Sequence, residues 1–458
     1  MFSRRKGNLI DSLRTVLPLV LGMGAQAVNE FVDRAFLAQY SDSAIQASLP
    51  GGMLSWLFIC LLVMTVGYTG TFVAQFYGAG SKKDAASAYG QGLWLAVASI
   101  PLILSSIPLG NWILEFCGHA PEVLREEKTY YDILQFGGVF CVFGGVLSSY
   151  FTGLGRTRLV GAVTVVGSAA NILLDWMFIF GHGGCGRWGI AGAGWATVLA
   201  AIVPCLILGS MTLFDKALVG CRYLLALRPR PVLMKRIVRY GLPSGIHHFL
   251  DAGTFTVFVM VTGKLDALSF AVSNICFTIN SLSFAAMIGL SQGASVLVGQ
   301  YQGAHDSSSS VRATHSCLLL GTVYVGLFAC ALLCFPHEIL DLFRSDNTQF
   351  DSGTFYSRGH TLLLLLLSWS LFDVISLVVG GALQGAGDTR FVMLARLASS
   401  MGFWMPAVFL ILWLKPSIVM LWGTLPFYCA ICATLCLVRF KKGRWRGIQL
   451  VDDLVAKD

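Results

Sequence analysis

Residues 48–76 read SLPGGMLSWLFICLLVMTVGYTGTFVAQF, a run without one charged side chain. In water such a segment would have to be enclosed on all sides by protein. A bilayer asks only that it coil, since about 20 apolar residues in a helix cross the hydrocarbon core. The rest of the chain repeats the pattern. Apolar stretches lie near 13–38, 48–76, 87–110, 130–152, 160–181, 190–213, 236–262, 268–300, 312–335, 357–383, 391–414 and 417–439. Backbone groups in hydrocarbon must bond within the protein, and barrel strands need only about 10 residues, so these stretches are read as helices. The 458 residues are 55% apolar and 12% charged, about half the charged share of a soluble domain. Mean hydropathy is +0.71. That composition excludes a soluble enzyme, a disordered chain and a small disulfide scaffold. The expected fold is all-α: a polytopic membrane protein with twelve transmembrane helices.

Lysine and arginine are distributed unequally over the breaks. One side holds Arg4, Arg5, Lys6, Arg14, Lys82, Lys83, Arg156, Arg158, the seven of the 214–239 region, Arg312, Arg390 and the five between Arg439 and Arg446, together 22 of the 32. The other holds seven, among them Arg125, Lys128 and Arg358. Positive residues stay inside, so both termini are expected in the cytoplasm. The net charge of +8 then records topology and gives no reason to expect a nucleic-acid partner. Ser3-Arg4-Arg5 and Ala25-Gln26-Ala27 imitate targeting and cleavage signals, but the first stretch is needed as a span.

The chain repeats itself. Gln75-Phe76-Tyr77-Gly78-Ala79 matches Gln300-Tyr301-Gln302-Gly303-Ala304, and Leu17-Pro18 matches Leu242-Pro243, both at an offset of 225. Thr152-Gly153-Leu154-Gly155-Arg156-Thr157-Arg158 matches Gln384-Gly385-Ala386-Gly387-Asp388-Thr389-Arg390 at an offset of 232. Duplication predicts two pseudo-symmetric six-helix bundles, 1–213 and 236–458 with its basic tail, around a central cavity. They are joined by a linker, 214–235, kept extended by Arg228-Pro229-Arg230-Pro231. The two Gly-x-Gly motifs follow helix ends, where left-handed angles are needed. They lack the strand and later residues of a phosphate loop.

Ionisable groups within spans cost about 3 kcal/mol each and mark functional positions. Glu30 and Arg34, four apart, are expected to pair on one face of the first span. Asp33 shares another face with Gln26 and, less directly, Asn29. Asn171 and Asp175 stand one turn apart on the fifth span, and Thr197 on the sixth adds a hydroxyl, with Gly192 and Gly194 permitting close approach. These hard oxygen donors suit a small cation. Two carboxylates in a low dielectric share a proton or hold a cation. In the second half Asp251 follows His247 and His248, and Asp373 lies in the tenth span, forming a second candidate cation or substrate site. Arg396 lies in the eleventh span. The cysteines fall in apolar stretches and behave as small hydrophobes, including Cys429-Ala430-Ile431-Cys432. No constellation for covalent chemistry and no selectivity filter is present in the sequence, and a flippase would carry more basic residues in its spans.

Taken in order, Pro18, Asp33, Gln75-x-x-Gly78-Ala79, Asn171-x-x-x-Asp175, Ala196-Thr197, Gly241-Leu242-Pro243, Asp251 and Asp373 resemble the multidrug and toxic compound extrusion (MATE) transporters over nearly the whole chain. The likeness mixes NorM-like and DinF-like features. It implies a multidrug efflux antiporter of the bacterial inner membrane, exporting organic cations or amphipathic small molecules in exchange for Na+ or H+. It implies no cofactor, no enzymatic activity and no protein partner; membrane lipids surround it. Asp33, Asn171, Asp175 and Thr197 match the family's N-terminal cation site. Asp251 and Asp373 match the acidic pair of NorM-like members, with His248 beside Asp251. Gln26, Asn29 and His247 are weaker candidates for a substrate cavity.

Overall fold

A computed structural model describes residues 7–215, 218, 226–263, 265–341, 352–414, 417–448 and 450–451. Arg4, Arg5, Lys6, residues 216–217 and 219–225 of the expected linker, and the end of the basic tail lie outside these residues. The described chain is helical. Its helices are α1 (Leu9–Tyr40), α2 (Asp42–Gly67), α3 (Thr69–Gly78), α4 (Lys82–Cys117), α5 (Pro121–Gly153), α6 (Thr157–Phe180) and α7 (Ile190–Leu213). The second half contributes α8 (Pro231–Thr262), α9 (Ala267–Gly303), α10 (Ser307–Cys334), α11 (Pro336–Asp341), α12 (Ser352–Gly385), α13 (Thr389–Ser399), α14 (Met405–Leu414) and α15 (Ile418–Lys441). Among the described residues, eleven spans, counting α2 with α3 and α13 with α14, are long and apolar enough to cross a membrane. The twelfth expected span is α8. It has the length, at 32 residues, but carries Lys235, Arg236, Arg239 and Asp251. It begins at Pro231, inside the expected linker, because proline suits the first helical turn, where no N–H partner is required.

Two compact units emerge. One comprises 21–249, 299–306 and 449–458; the other comprises 1–20, 250–298 and 307–448. α1 and α8 each divide near a proline, Pro18 and Pro243. In the first unit the described end of the linker is fastened to α4. Gln91 donates from Nε2 to the Arg228 carbonyl at 3.1 Å and accepts from the Arg230 N–H at 2.7 Å. Trp94 donates to Leu227 at 2.7 Å, and Arg230 pairs with Asp84 at 3.1 Å.

Duplication is visible in the backbone. Gly80 turns left-handed at φ +83°, and its equivalent His305, 225 residues on, does so at φ +55°. Gly155 and Gly387 repeat the same device at φ +79° and +101°. The ion pair beside the latter turns has exchanged its charges. Arg156 binds Asp215 at 2.6 Å, whereas at the equivalent place Asp388 binds Arg439 at 2.6 Å. The Gln-x-x-Gly motifs pack reciprocally within one unit. A Cβ on Gly78 would meet the Gln300 carbonyl oxygen at 1.9 Å, and one on Gly303 the Gln75 carbonyl oxygen at 2.0 Å.

One turn breaks the register of the repeat. Between α13 and α14, residues Ser400–Trp404 form a π-helix, the wide turn found where one extra residue is housed in an α-helix. Before it, buried Val160, Val163 and Gly167 of α6 correspond to buried Val392, Ala395 and Ser399, 232 residues on. After it, buried Asn171 and Asp175 correspond to buried Trp404 and Val408, 233 residues on.

Outside the spans, Asp266 caps the start of α9, accepting from the Ser269 N–H at 3.2 Å and its hydroxyl at 2.7 Å. Arg358 also pairs with it. Slight burial pushes this carboxyl up, but the bonds from Ser269 and Arg358 outweigh that and hold it below the usual carboxylate range. A depressed carboxyl adds stability above its unfolded value and loses it as pH falls through the folded one. Asp266→Ala is therefore expected to cost about 1 kcal/mol at pH 7, a cap's usual worth. Thermal unfolding at pH 7 and pH 3 should show that difference shrinking at the lower value.

Candidate functional site

α6 presents Asn171 and Asp175 from one face, four residues apart. They are 5% and 0% exposed. Asn29 and Asp33 are likewise one turn apart on α1. Asn29 Nδ2 donates to Asn171 Oδ1 at 2.6 Å, tying α1 to α6. That bond uses one end of each amide. Asn29 Oδ1, Asp33 Oδ1, both oxygens of Asp175 and Asn171 Nδ2 remain buried, with no hydrogen-bond partner among the described residues. Asp33 and Asp175 lie within electrostatic reach of each other. Tyr130 on α5, which nothing in the sequence singles out, lies within electrostatic reach of both. Tyr130 belongs to a buried apolar cluster with Leu37, Ala44, Ala47, Ile179, Ile190 and Ala193.

Four oxygens without hydrogen-bond partners, three of them carboxylate, thus gather in one buried place. Each buried polar group left without a partner costs about 1–3 kcal/mol. A cation among these oxygens recovers that cost, and hard oxygen donors suit Na+; a proton on a carboxylate serves the same end. Thr197 is half-buried on α7 and donates to the Ala193 carbonyl at 3.0 Å, so its oxygen keeps acceptor capacity. Gly192 does let α7 approach α6, since a Cβ there would meet the Phe178 carbonyl oxygen at 2.6 Å. Gly194 instead faces Ile133 of α5. Gln26 and Glu30 are exposed, and Glu30 interacts with Arg34 only at a distance, without the expected ion pair. Asp132 is held by the Asn111 amide at 2.9 Å.

The second half is built differently. Arg396 Nε lies 3.2 Å from Asp251 Oδ1, and Tyr428 donates its hydroxyl to the same oxygen at 3.2 Å. Arg396 also interacts with Asp373, which accepts from the Cys429 thiol at 3.6 Å. His247 is buried, with its ring 4.8 Å from that of His248. The repeat offsets show what became of the first half's oxygens. Asn29 and Asp33 correspond to Thr254 and Phe258, and Asn171 and Asp175 to Trp404 and Val408. Thr254 meets Ser400 hydroxyl to hydroxyl at 2.8 Å, and the rings of Phe258 and Trp404 lie 6.0 Å apart. Where the first half gathers oxygens, the second buries aromatic rings.

Comparison with known proteins agrees with this architecture. The MatE family model matches residues 18–177 and again 243–410, so its two matches begin at the equivalent prolines. The multidrug resistance protein NorM of Burkholderia vietnamiensis is 24% identical over 397 residues, covering 86% of this chain and 84% of the relative. A probable multidrug resistance protein NorM of Thermotoga maritima is 25% identical over 438 residues, covering 95% and 92%. Among solved structures, a MOP superfamily transporter from Pyrococcus furiosus superposes with a TM-score of 0.84 at 18% identity, over 97% of this chain and 98% of that one. An outward-facing multidrug resistance MATE family transporter gives 0.82 at 20% identity, over the same 97% and 98%. With the family model covering both halves of a helical membrane fold, the chain belongs to the MatE family of membrane transporters.

Proposed function

We propose that this protein is a secondary active antiporter of the cytoplasmic membrane, with both termini inside. It exports organic cations or other amphipathic small molecules by alternating access, driven by Na+ or H+. The observation that carries this reading is the set of buried, unpartnered oxygens on Asn29, Asp33 and Asp175. Asn171 orients Asn29, and Thr197 supplies a further oxygen. An entering cation is attracted by carboxylate oxygens that no described residue satisfies by a hydrogen bond. It draws α1 and α6 together around itself, and the energy so released biases the conformational step. No bond in the substrate is made or broken. Multidrug-resistance names among the relatives support the amphipathic substrate class. A flippase is disfavoured, because Arg396, the buried arginine best placed to hold a phosphate, is engaged by Asp251.

The test is efflux of a fluorescent cationic dye from proteoliposomes, with the Na+ gradient and the pH gradient dissipated separately. Efflux is expected to collapse with one of them and to survive loss of the other. Undiminished efflux with both dissipated would remove the antiport mechanism.

A further inference from the structure

The acidic groups of the two halves differ in what neutralises them. Asp33 and Asp175 carry oxygens that no described residue satisfies. Asp251 and Asp373 face an arginine that is itself 4% exposed. Arg396 Nε reaches Asp251 Oδ1 at 3.2 Å; its Nη1 is 3.5 Å from the Tyr428 hydroxyl, which in turn donates to Asp251. The guanidinium carbon, Arg396 Cζ, lies 5.6 Å from the Tyr428 ring centroid. A guanidinium is charged under all ordinary conditions and cannot leave. The π-turn begins four residues after Arg396, and Ser400, its first residue, bonds to Thr254 of α8. α8 is thereby joined to this segment at the arginine itself and again one turn beyond it.

We infer that Arg396 is a tethered counter-ion filling the acidic site of the C-terminal half, so that Asp251 and Asp373 are structural charges closed to the transported ion. This rests on the antiport reading above and adds to it: coupling is confined to the N-terminal half, and Arg396 is the residue that confines it. The cluster holds one positive charge against two negative ones. Removing the arginine alone leaves a buried carboxylate, Asp373, facing a half-buried one, Asp251. Removing Asp251 as well restores the original balance, with the asparagine still accepting from Tyr428.

Three variants test this in the full-length protein: R396Q, D251N and the double variant D251N/R396Q. R396Q is expected to lower the unfolding temperature by about 5 °C or more and gradient-driven dye efflux by about tenfold or more, as breaking a buried pair does. D251N leaves Arg396 with Asp373, so efflux should remain within about threefold of the parent. D251N/R396Q should recover both stability and efflux to about the level of D251N. If the double variant regains its unfolding temperature but not its efflux, the C-terminal charges take part in transport and the inference fails. If it regains neither, Arg396 and Asp251 do not neutralise each other and it fails equally. A parent protein that shows no gradient-driven efflux would sink the antiport reading instead, and the unfolding temperatures would still report on the pairing.

Discussion

Asp175→Asn is expected to make the protein more stable and transport-dead at once. Both Asp175 oxygens are buried without partners, so the carboxylate is a burden on the folded state until an ion arrives. An amide of the same shape carries no charge to desolvate and offers donors to the surrounding acceptors. The gain should be about 1–3 kcal/mol, the usual cost of an unsatisfied buried group, read as a rise in unfolding temperature in detergent. Loss of one charged ligand weakens cation capture by roughly 100-fold, equivalent to about 3 kcal/mol. Gradient-driven dye efflux should fall accordingly. A variant that is destabilised, or that transports at the parental rate, would show that Asp175 is a structural residue. Stability gained where function is lost is the signature of a site kept under strain for its task.

The second large effect comes from a single methyl group. Gly303→Ala places a Cβ 2.0 Å from the Gln75 carbonyl oxygen. The obstacle is backbone, so no side chain can swing aside. The crossing is reciprocal, with Gly78 against Gln300 at 1.9 Å, so both segments must shift together. Overpacking of a core costs about 1–3 kcal/mol, and a backbone collision belongs at or beyond the top of that range. Gly67→Ala makes the contrast. Nothing lies within 4 Å of a Cβ at Gly67, and alanine there should be neutral or stabilise by up to about 1 kcal/mol. Unfolding temperatures of the two variants should diverge in opposite directions from the parent.

The spans were legible because the bilayer imposes a length and a polarity on each of them. Asn171 and Asp175 could be placed on one face because four residues make about one turn. Asn29 was undervalued for a physical reason: an amide in an apolar helix shows its importance only through its partner, 142 residues away. Tyr130 gave no signal, since a tyrosine in a span is ordinarily packing material. The matching Gln-x-x-Gly motifs were recognisable as copies, but their mutual packing was not, because similarity says nothing about contact. Arg396 was visible as an oddity in its span. That it faces Asp251, 145 positions earlier in the chain, belongs to tertiary structure. Only the charges of the Arg156–Asp215 and Asp388–Arg439 pairs, read in space, show that the duplicated copies solved one problem with opposite signs.

The wide turn at Ser400–Trp404 uncouples chain length from facing. Losing one residue in an ordinary helix swings everything downstream by about 100°. Here the spare residue is already looped out of the count, so a deletion within the turn would regularise the coil and leave Val408 and its neighbours pointing as before. α6 has no such slack, and losing one residue ahead of Asp175 would swing it about 100° away from its present face. Of the two sister helices, one thus carries a built-in tolerance for a change in length, while the other, holding Asn171 and Asp175 on one face, carries none.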